Sequence, residues 1–276
     1  MRVWVCGVRG STPAPGAEFV HYGGHTSCLA LGHDGQPPSL VLDAGTGIRR
    51  VSGLLGGAAF RGTVLLGHLH WDHTQGLPFF AAADRPDAEV TVLLPAQGDP
   101  SAVLARAMSP PHFPVGPLDL RGRWRFAGLE PGHHRIEGFD VSALDIPHKG
   151  GRTFGFRVCD GAASLAYLSD HSPLSQGPGP DGLGSYHDTA MALVEGVEVL
   201  VHDAQHTAPE LATRAVLGHS AAEYAVGLAQ AARARSVWLY HHDPARTDEQ
   251  VEAMVGSLQH AKVQVSAAAE GMTVDL

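Results

Sequence analysis

Short apolar runs recur along the chain, separated by stretches rich in glycine, proline and polar residues. Residues 2–8 alternate apolar and polar as a strand does, before "RGSTPAPG" breaks the pattern. "SCLAL", "SLVLDAGTG" and "GTVLLGHLH" follow; the last two share a form, a β-rich apolar run that ends in ionisable residues. "EVTVLLP" at 89–95 is bounded by turn formers, as expected of a strand covered on both faces. Residues 99–109 read as a short helix. "SPPHFPVGPL" at 109–118 is too rich in proline for regular structure and reads as an extended flap.

Further on, "FDVSALDIPH", "TFGFRVCD" and "ASLAYLSD" read as strands, and a Gly/Pro loop at 176–184 precedes a helix over 185–195. "VEVLVHDA" is another strand ending in an acid. Residues 220–234 are Ala-rich with helical periodicity and begin beside Ser220, a residue type suited to an N-cap. "SVWLYHHDP" is the last clear strand, before a helix at 247–260 and a closing strand. The strand ends carry Asp43, His68 and His70, His148, Asp170, Asp203 and His241. In layered α/β folds, sites collect where strands end and loops begin, so these ends predict a single site.

At 276 residues and 44% hydrophobic, with no linker between complete patterns, the chain is expected to form one domain over 1–276. A net charge of -9 with only two lysines, Lys149 and Lys262, argues against a face that grips extended nucleic acid. It leaves room for a small anion held by local groups or by metal. Cys6, Cys28 and Cys159 lack metal-type spacing, and an odd number cannot all pair, which reads as buried thiols in a reducing cytoplasm. The stretch "MRVWVCGVRGS" lacks a signal-peptide pattern, and no apolar run approaches the roughly 20 residues of a membrane span. The expectation is a cytoplasmic protein with no membrane partner. Eighteen histidines nearly match the nineteen Lys plus Arg, so the placement of this common metal ligand matters.

That placement is sharpest in "GHLHWDHTQG", Gly67 to Gly76. On a strand, His68 and His70 point to the same face, and Asp72 and His73 lie where the chain should turn. The first pair can hold one cation and the second pair another a few ångströms away. His148 ends an apolar run before "KGG", where glycines allow close backbone approach, and Asp170 ends "LAYLSD".

"HLHWDH", followed by the later elements in order from "DAGTG" to "YHHDP", resembles the metallo-β-lactamase-fold hydrolases. That resemblance implies a four-layer αβ/βα sandwich. It is strongest with the phosphodiesterase branch: tRNA 3′-processing endonucleases, phosphoribosyl cyclic-phosphate phosphodiesterases and cyclic-nucleotide phosphodiesterases. It assigns His68, His70 and His148 to one divalent ion, Asp72, His73 and His241 to a second, and Asp170 to both. His242 competes with His241, because alternation turns the two in opposite directions; family order favours His241. Zinc suits such a set, and manganese and iron also bind mixed imidazole and carboxylate ligands. The implied reaction is attack on phosphorus by a hydroxide bridging the metals, with Asp72 counted among the catalytic groups. Asp203 and His219, in "VHDAQHT" and "GHSAAEYA", match an acid and a histidine that protonate the leaving group in that branch.

Some residues carry two readings. Asp43 either orients the metal ligands or is an ordinary turn acid. Lys149 and Arg152 contact a phosphate or are solvated charges, the latter being preferred. His25 and His171 stand where relatives carry other residues. Phe113, in the flap, covers a base or sugar or lines a subunit interface, a homodimer being common among relatives. Only 21 residues separate His148 from Asp170, which two strands and a turn use up, so the arm that clamps tRNA has no room. A small cyclic phosphodiester is therefore the expected substrate. The alternatives are a tRNA-processing type of endonuclease, a thioester or lactone hydrolase on the same core, and a non-catalytic ligand-binding relative.

Overall fold

A computed structural model describes all residues 1–276. The first strands are β1 (Arg2–Gly7), β2 (Cys28–Gly32), β3 (Leu40–Leu42), β4 (Arg61–Leu65), β5 (Glu89–Pro95) and β6 (Arg123–Leu129). They pair in chain order into one sheet. The next seven are β7 (Gly132–Ile136), β8 (Phe139–Asp145), β9 (Phe154–Cys159), β10 (Ser164–Leu168), β11 (Val199–Asp203), β12 (Ser236–Tyr240) and β13 (Gln264–Ala267). These form a second sheet, again in chain order, and β14 (Thr273–Asp275) returns to pair with β1.

Strand alternation sends one set of side chains into the space between the sheets. Val3, Val5, Leu29, Leu40 and Leu65 there meet Val141, Phe156, Leu165, Tyr167 and Tyr240. The opposite faces are also apolar, which is why so many strands read as continuous hydrophobic runs. Val41, Val64 and Leu94 share one apolar cluster with Ile48 and Val51 of α1 (Ile48–Leu54) and Leu104 of α3 (Pro100–Ala105). Leu168, Leu200 and Leu239 pack against α4 (Asp188–Val194), α6 (Ala222–Ala231) and α7 (Asp248–Ser257). Each buried Val or Leu contributes about 1.5–3 kcal/mol by leaving water. The result is the expected αβ/βα sandwich. No helix is long and apolar enough to cross a membrane.

Topology explains why the strand ends converge. β3, β4, β5 and β6 are mutually parallel, as are β10, β11, β12 and β13. β8 is antiparallel to β9, which is antiparallel to β10, so β8 runs with the parallel set. The C-terminal ends of β3, β4, β8, β10, β11 and β12 therefore deliver Asp43, the His68–His73 string, His148, Asp170, Asp203 and His241 to one edge.

Several local expectations are corrected. β4 stops at Leu65, so His68 and His70 lie in extended chain beyond the ladder, and Asp72 and His73 ride a one-turn helix, α2 (Trp71–Thr74). The 109–118 segment is a set of turns instead of an extended flap: the His112 and Phe113 amides both donate to the Ser109 carbonyl. Ser220 is not a side-chain cap. The helix begins after Ala221, and the Ala222 amide is taken by the His206 carbonyl across an isolated bridge. β6, β7, α1 and the short α5 (Ala208–Arg214) were not expected; α1 buries only Ile48 and Val51 and α5 only Leu211, too few positions to set a period.

Candidate metal centre

At this edge two groups of donor atoms share one carboxylate. His68, His70, His148 and Asp170 form the first group; Asp72, His73, Asp170 and His241 form the second, each within 4.8 Å of one another. Asp170 Oδ1 faces the first group, 3.5 Å from His148 Nε2 and 3.8 Å from His68 Nε2. Its Oδ2 faces the second, 2.9 Å from His73 Nε2 and 3.3 Å from His241 Nε2. Asp72 Oδ2 completes that group, 3.3 Å from His73 Nε2 and 3.1 Å from His241 Nε2.

The outer atoms of three histidines in these groups are braced. His73 Nδ1 donates to Asp43 Oδ2 at 2.7 Å, His148 Nδ1 to the Gly218 carbonyl at 2.7 Å, and His241 Nδ1 to Gln205 Oε1 at 3.1 Å. Each bond places the proton on the outer nitrogen and turns the lone pair of Nε2 inward, the usual support of a metal-ligating imidazole. Asp43 is fully buried and also accepts from the Gly67 amide, Tyr167 Oη and Ser169 Oγ, so it orients the segment that carries His73. His68 and His70 have no such brace.

The donor set fits divalent cations. His68 Nε2, His73 Nε2 and Asp170 Oδ2 are buried without a hydrogen-bond partner, although His68 Nε2 lies 3.8 Å from Asp170 Oδ1 and His73 Nε2 lies 2.9 Å from Asp170 Oδ2. Asp43, Asp72, Asp170 and Asp203 are buried together, and their side-chain ion-pair partners are all imidazoles. Unpaired charge in such a place is costly, and a cation offsets it. Burial opposes ionisation of Asp170 and Asp72, yet the adjacent imidazoles hold both carboxyls well below the usual carboxylate range. Burial keeps His68, His70 and His148 low and thus neutral, the form that ligates.

Backbone detail separates the two adjacent histidines after β12. His241 has φ +57°, a left-handed conformation that turns its ring into the cluster, while His242 Nε2 bonds the Ala268 carbonyl away from it. Gly10 leaves room for that ring: a Cβ there would lie 2.5 Å from His241 Nδ1. Gly150, with φ +93°, does the same for His70, 2.7 Å from a Cβ at this position.

The Asp203–His219 pair forms beside the cluster. His219 Nδ1 donates to Asp203 Oδ2 at 2.9 Å, and the ring stacks 5.1 Å from that of His241. Burial alone would lower the His219 pKa, but the Asp203 carboxylate raises it to about 9. Asp203 is itself held by the Gln205 and His171 amides. A pocket of about 430 Å³ opens over these groups, lined by His70, Asp72, His148, Asp170 and His219 and walled by Trp71 and Leu217.

A sequence model of the beta-lactamase superfamily domain matches residues 40–242, and so takes in every residue of the two clusters. The chain belongs to that superfamily. A sequence comparison with curated proteins gives no match. Among solved structures, this superfamily member is similar in fold to a diphosphatase from the PhnP family, at 18% identity and TM-score 0.72, covering 100% of this chain and 97% of that one. Human tRNase Z, short form, gives 19% identity and 0.69, covering 100% and 99%. Zn(2+)-bound PqqB from Methylobacterium extorquens gives 16% and 0.69, covering 100% of both chains.

Other candidates lie apart from the cluster. Arg152 is tied to Asp145 and Glu130, Lys149 Nζ donates to the Val216 carbonyl, and His25 Nδ1 lies 3.2 Å from Thr46 Oγ1 outside the metal pocket. His171 stands behind Asp170 in a file of imidazoles, 2.7 Å from His187 and 2.9 Å from His202. The sequence reading missed Gln205, Gly218, Tyr167 and Ser169. Gln205, two residues after Asp203, could have been suspected from its place at a strand end; a backbone carbonyl such as that of Gly218 gives no signal.

Proposed function

We propose that this superfamily member is a two-cation phosphodiesterase acting on a small phosphodiester. The observation that carries the reading is Asp170, whose two oxygens each face a separate imidazole cluster. His68, His70 and His148 would hold one ion with Asp170 Oδ1; Asp72, His73 and His241 would hold the other with Oδ2. Such a pair supplies charge neutralisation for a phosphate and lowers the pKa of water. The imidazole-rich set suits zinc, the metal in the PqqB relative.

The chain's own groups do the rest. His219 keeps one proton on Nδ1 against Asp203, so its Nε2 carries the proton to be given to the leaving oxygen. The raised pKa keeps that proton in place at neutral pH. Asp43, Gln205 and the Gly218 carbonyl keep the ligand rings from rotating. A pocket of about 430 Å³ suits a small molecule, and the charge of -9 disfavours a long polyanion, so a cyclic nucleotide or ribosyl cyclic phosphate fits better than tRNA.

A turnover panel on metal-loaded protein tests this: bis-p-nitrophenyl phosphate, cyclic nucleotides, a ribosyl cyclic phosphate, a nucleoside diphosphate, a thioester and a lactone. Cleavage of the diesters is expected. Cleavage of the diphosphate alone would move the substrate to the anhydrides that the PhnP-family relative's name indicates. Turnover of the thioester or lactone alone would overturn the phosphodiester reading, and inertness to all would favour ligand binding without catalysis.

A further inference from the structure

Beside the metal pocket lies a second, larger cavity of about 690 Å³, and Trp71 lines both. The helix α2 separates them: its Asp72 and His73 serve the cluster, whereas Trp71 and Thr74 line the larger cavity. The indole of Trp71 is 72% exposed and Phe79 55%, an unusual outlay of aromatic surface on one rim. The 109–118 turns close the far side, where Phe113 meets Phe79 edge-on at 5.8 Å. Arg49 and Arg106 also line the cavity, and no carboxylate does. Most arginines of this chain are paired with acids, as Arg61 is with Glu89 and Arg121 with Asp84, but these two have no such partner.

We propose that this cavity is the subsite for the organic group of the substrate, and that the group is a nucleobase. The inference rests on the phosphodiester reading and narrows it to base-bearing substrates over a bare ribosyl cyclic phosphate. Three aromatic side chains offer stacking faces to a flat ring, and every base has such a face. Two unpaired guanidiniums donate to ring acceptors in a bidentate fork. A cationic group would face the two guanidiniums and meet no acid. The volume lies within the usual range of about 300–1,000 Å³ for small-molecule sites. Trp71, shared between the two cavities, sets the base beside the phosphate.

The test compares kcat/KM for a 2′,3′-cyclic nucleotide with that for a ribosyl cyclic phosphate, in the wild type and in Phe113→Ala and Arg106→Ala. The ratio is expected to fall about tenfold in each variant. In parallel, AMP is titrated into the protein with tryptophan fluorescence as readout; quenching is expected in the wild type and its loss in Trp71→Phe. Arg106 is exposed, so its variant keeps the test sound if Phe113→Ala folds poorly. An unchanged ratio in Arg106→Ala together with no AMP quenching would overturn the subsite, as would a concentration-dependent dimer that buries Trp71 and excludes AMP. Quenching by AMP without turnover of either substrate would instead leave the subsite standing and sink the phosphodiester reading.

Discussion

The two faces of α2 are built on opposite plans. On one, Asp72 and His73 enter a buried cluster in which His73, His148 and His241 are each braced by a further hydrogen bond. On the other, Trp71 joins exposed aromatic rings and arginines that nothing ties down. Side chains locked from behind present donor atoms in a fixed array, as cation binding and proton transfer need. Side chains free at their tips adapt to a flat ligand and can change without disturbing the fold. Substitutions on the first face should therefore act steeply and together, and on the second by degrees.

The steepest expected loss is at the shared carboxylate. Asp170→Asn removes a charge from both groups, and both cation content, measured by elemental analysis, and turnover should fall by about a thousandfold or to background. An enzyme that keeps both would break the two-group description. Next, His219→Ala should keep its cations and lose about 10²–10⁴-fold in turnover, the usual range for a general acid. Asp203→Asn probes the same group by pH. His219 is protonated below its pKa of about 9, so activity that needs the proton holds at neutral pH and declines above 9. Without the Asp203 charge, the pKa falls back towards the ordinary value near 6.5, and the alkaline limb of kcat/KM should move to lower pH. A limb that stays in place would separate His219 from proton transfer.

Asp43→Asn tests the bracing itself. It leaves every ligand in place but weakens the bond to His73 Nδ1, and cation affinity by competition with a chelator should drop about 10–100-fold. The smallest effect is expected at Arg152, whose guanidinium pairs with Asp145 at the surface. Arg152→Ala should change stability by less than about 1 kcal/mol in denaturant unfolding and turnover by less than twofold. A tenfold loss of turnover there would restore the phosphate-contact reading.

The chain announces its local candidate ligands openly. His68, His70, Asp72 and His73 fall within six positions, because one segment supplies donors to both groups as it leaves β4. The more distant candidates were legible as apolar strands ending in His or Asp. Their partners were not. Asp43 reaches His73 from 30 residues away, Gln205 reaches His241 from 36, and the Gly218 carbonyl reaches His148 from 70. The aromatic cavity was half visible, as Phe113 in a proline-rich stretch, but not its pairing with Phe79 or the two unpartnered arginines.

What the sequence determined alone is most of the strands, β6 and β7 excepted, and the chemistry at their ends, because alternation and turn residues act over a few positions. The parallel arrangement that brings six strand ends to one edge came from packing two sheets face to face. Tertiary structure likewise turned His241, and not His242, into the cluster, through one left-handed backbone residue at the end of β12. Donor atoms far apart in the chain are selected by where their backbones are held, and that is fixed only when the whole sandwich closes around its core.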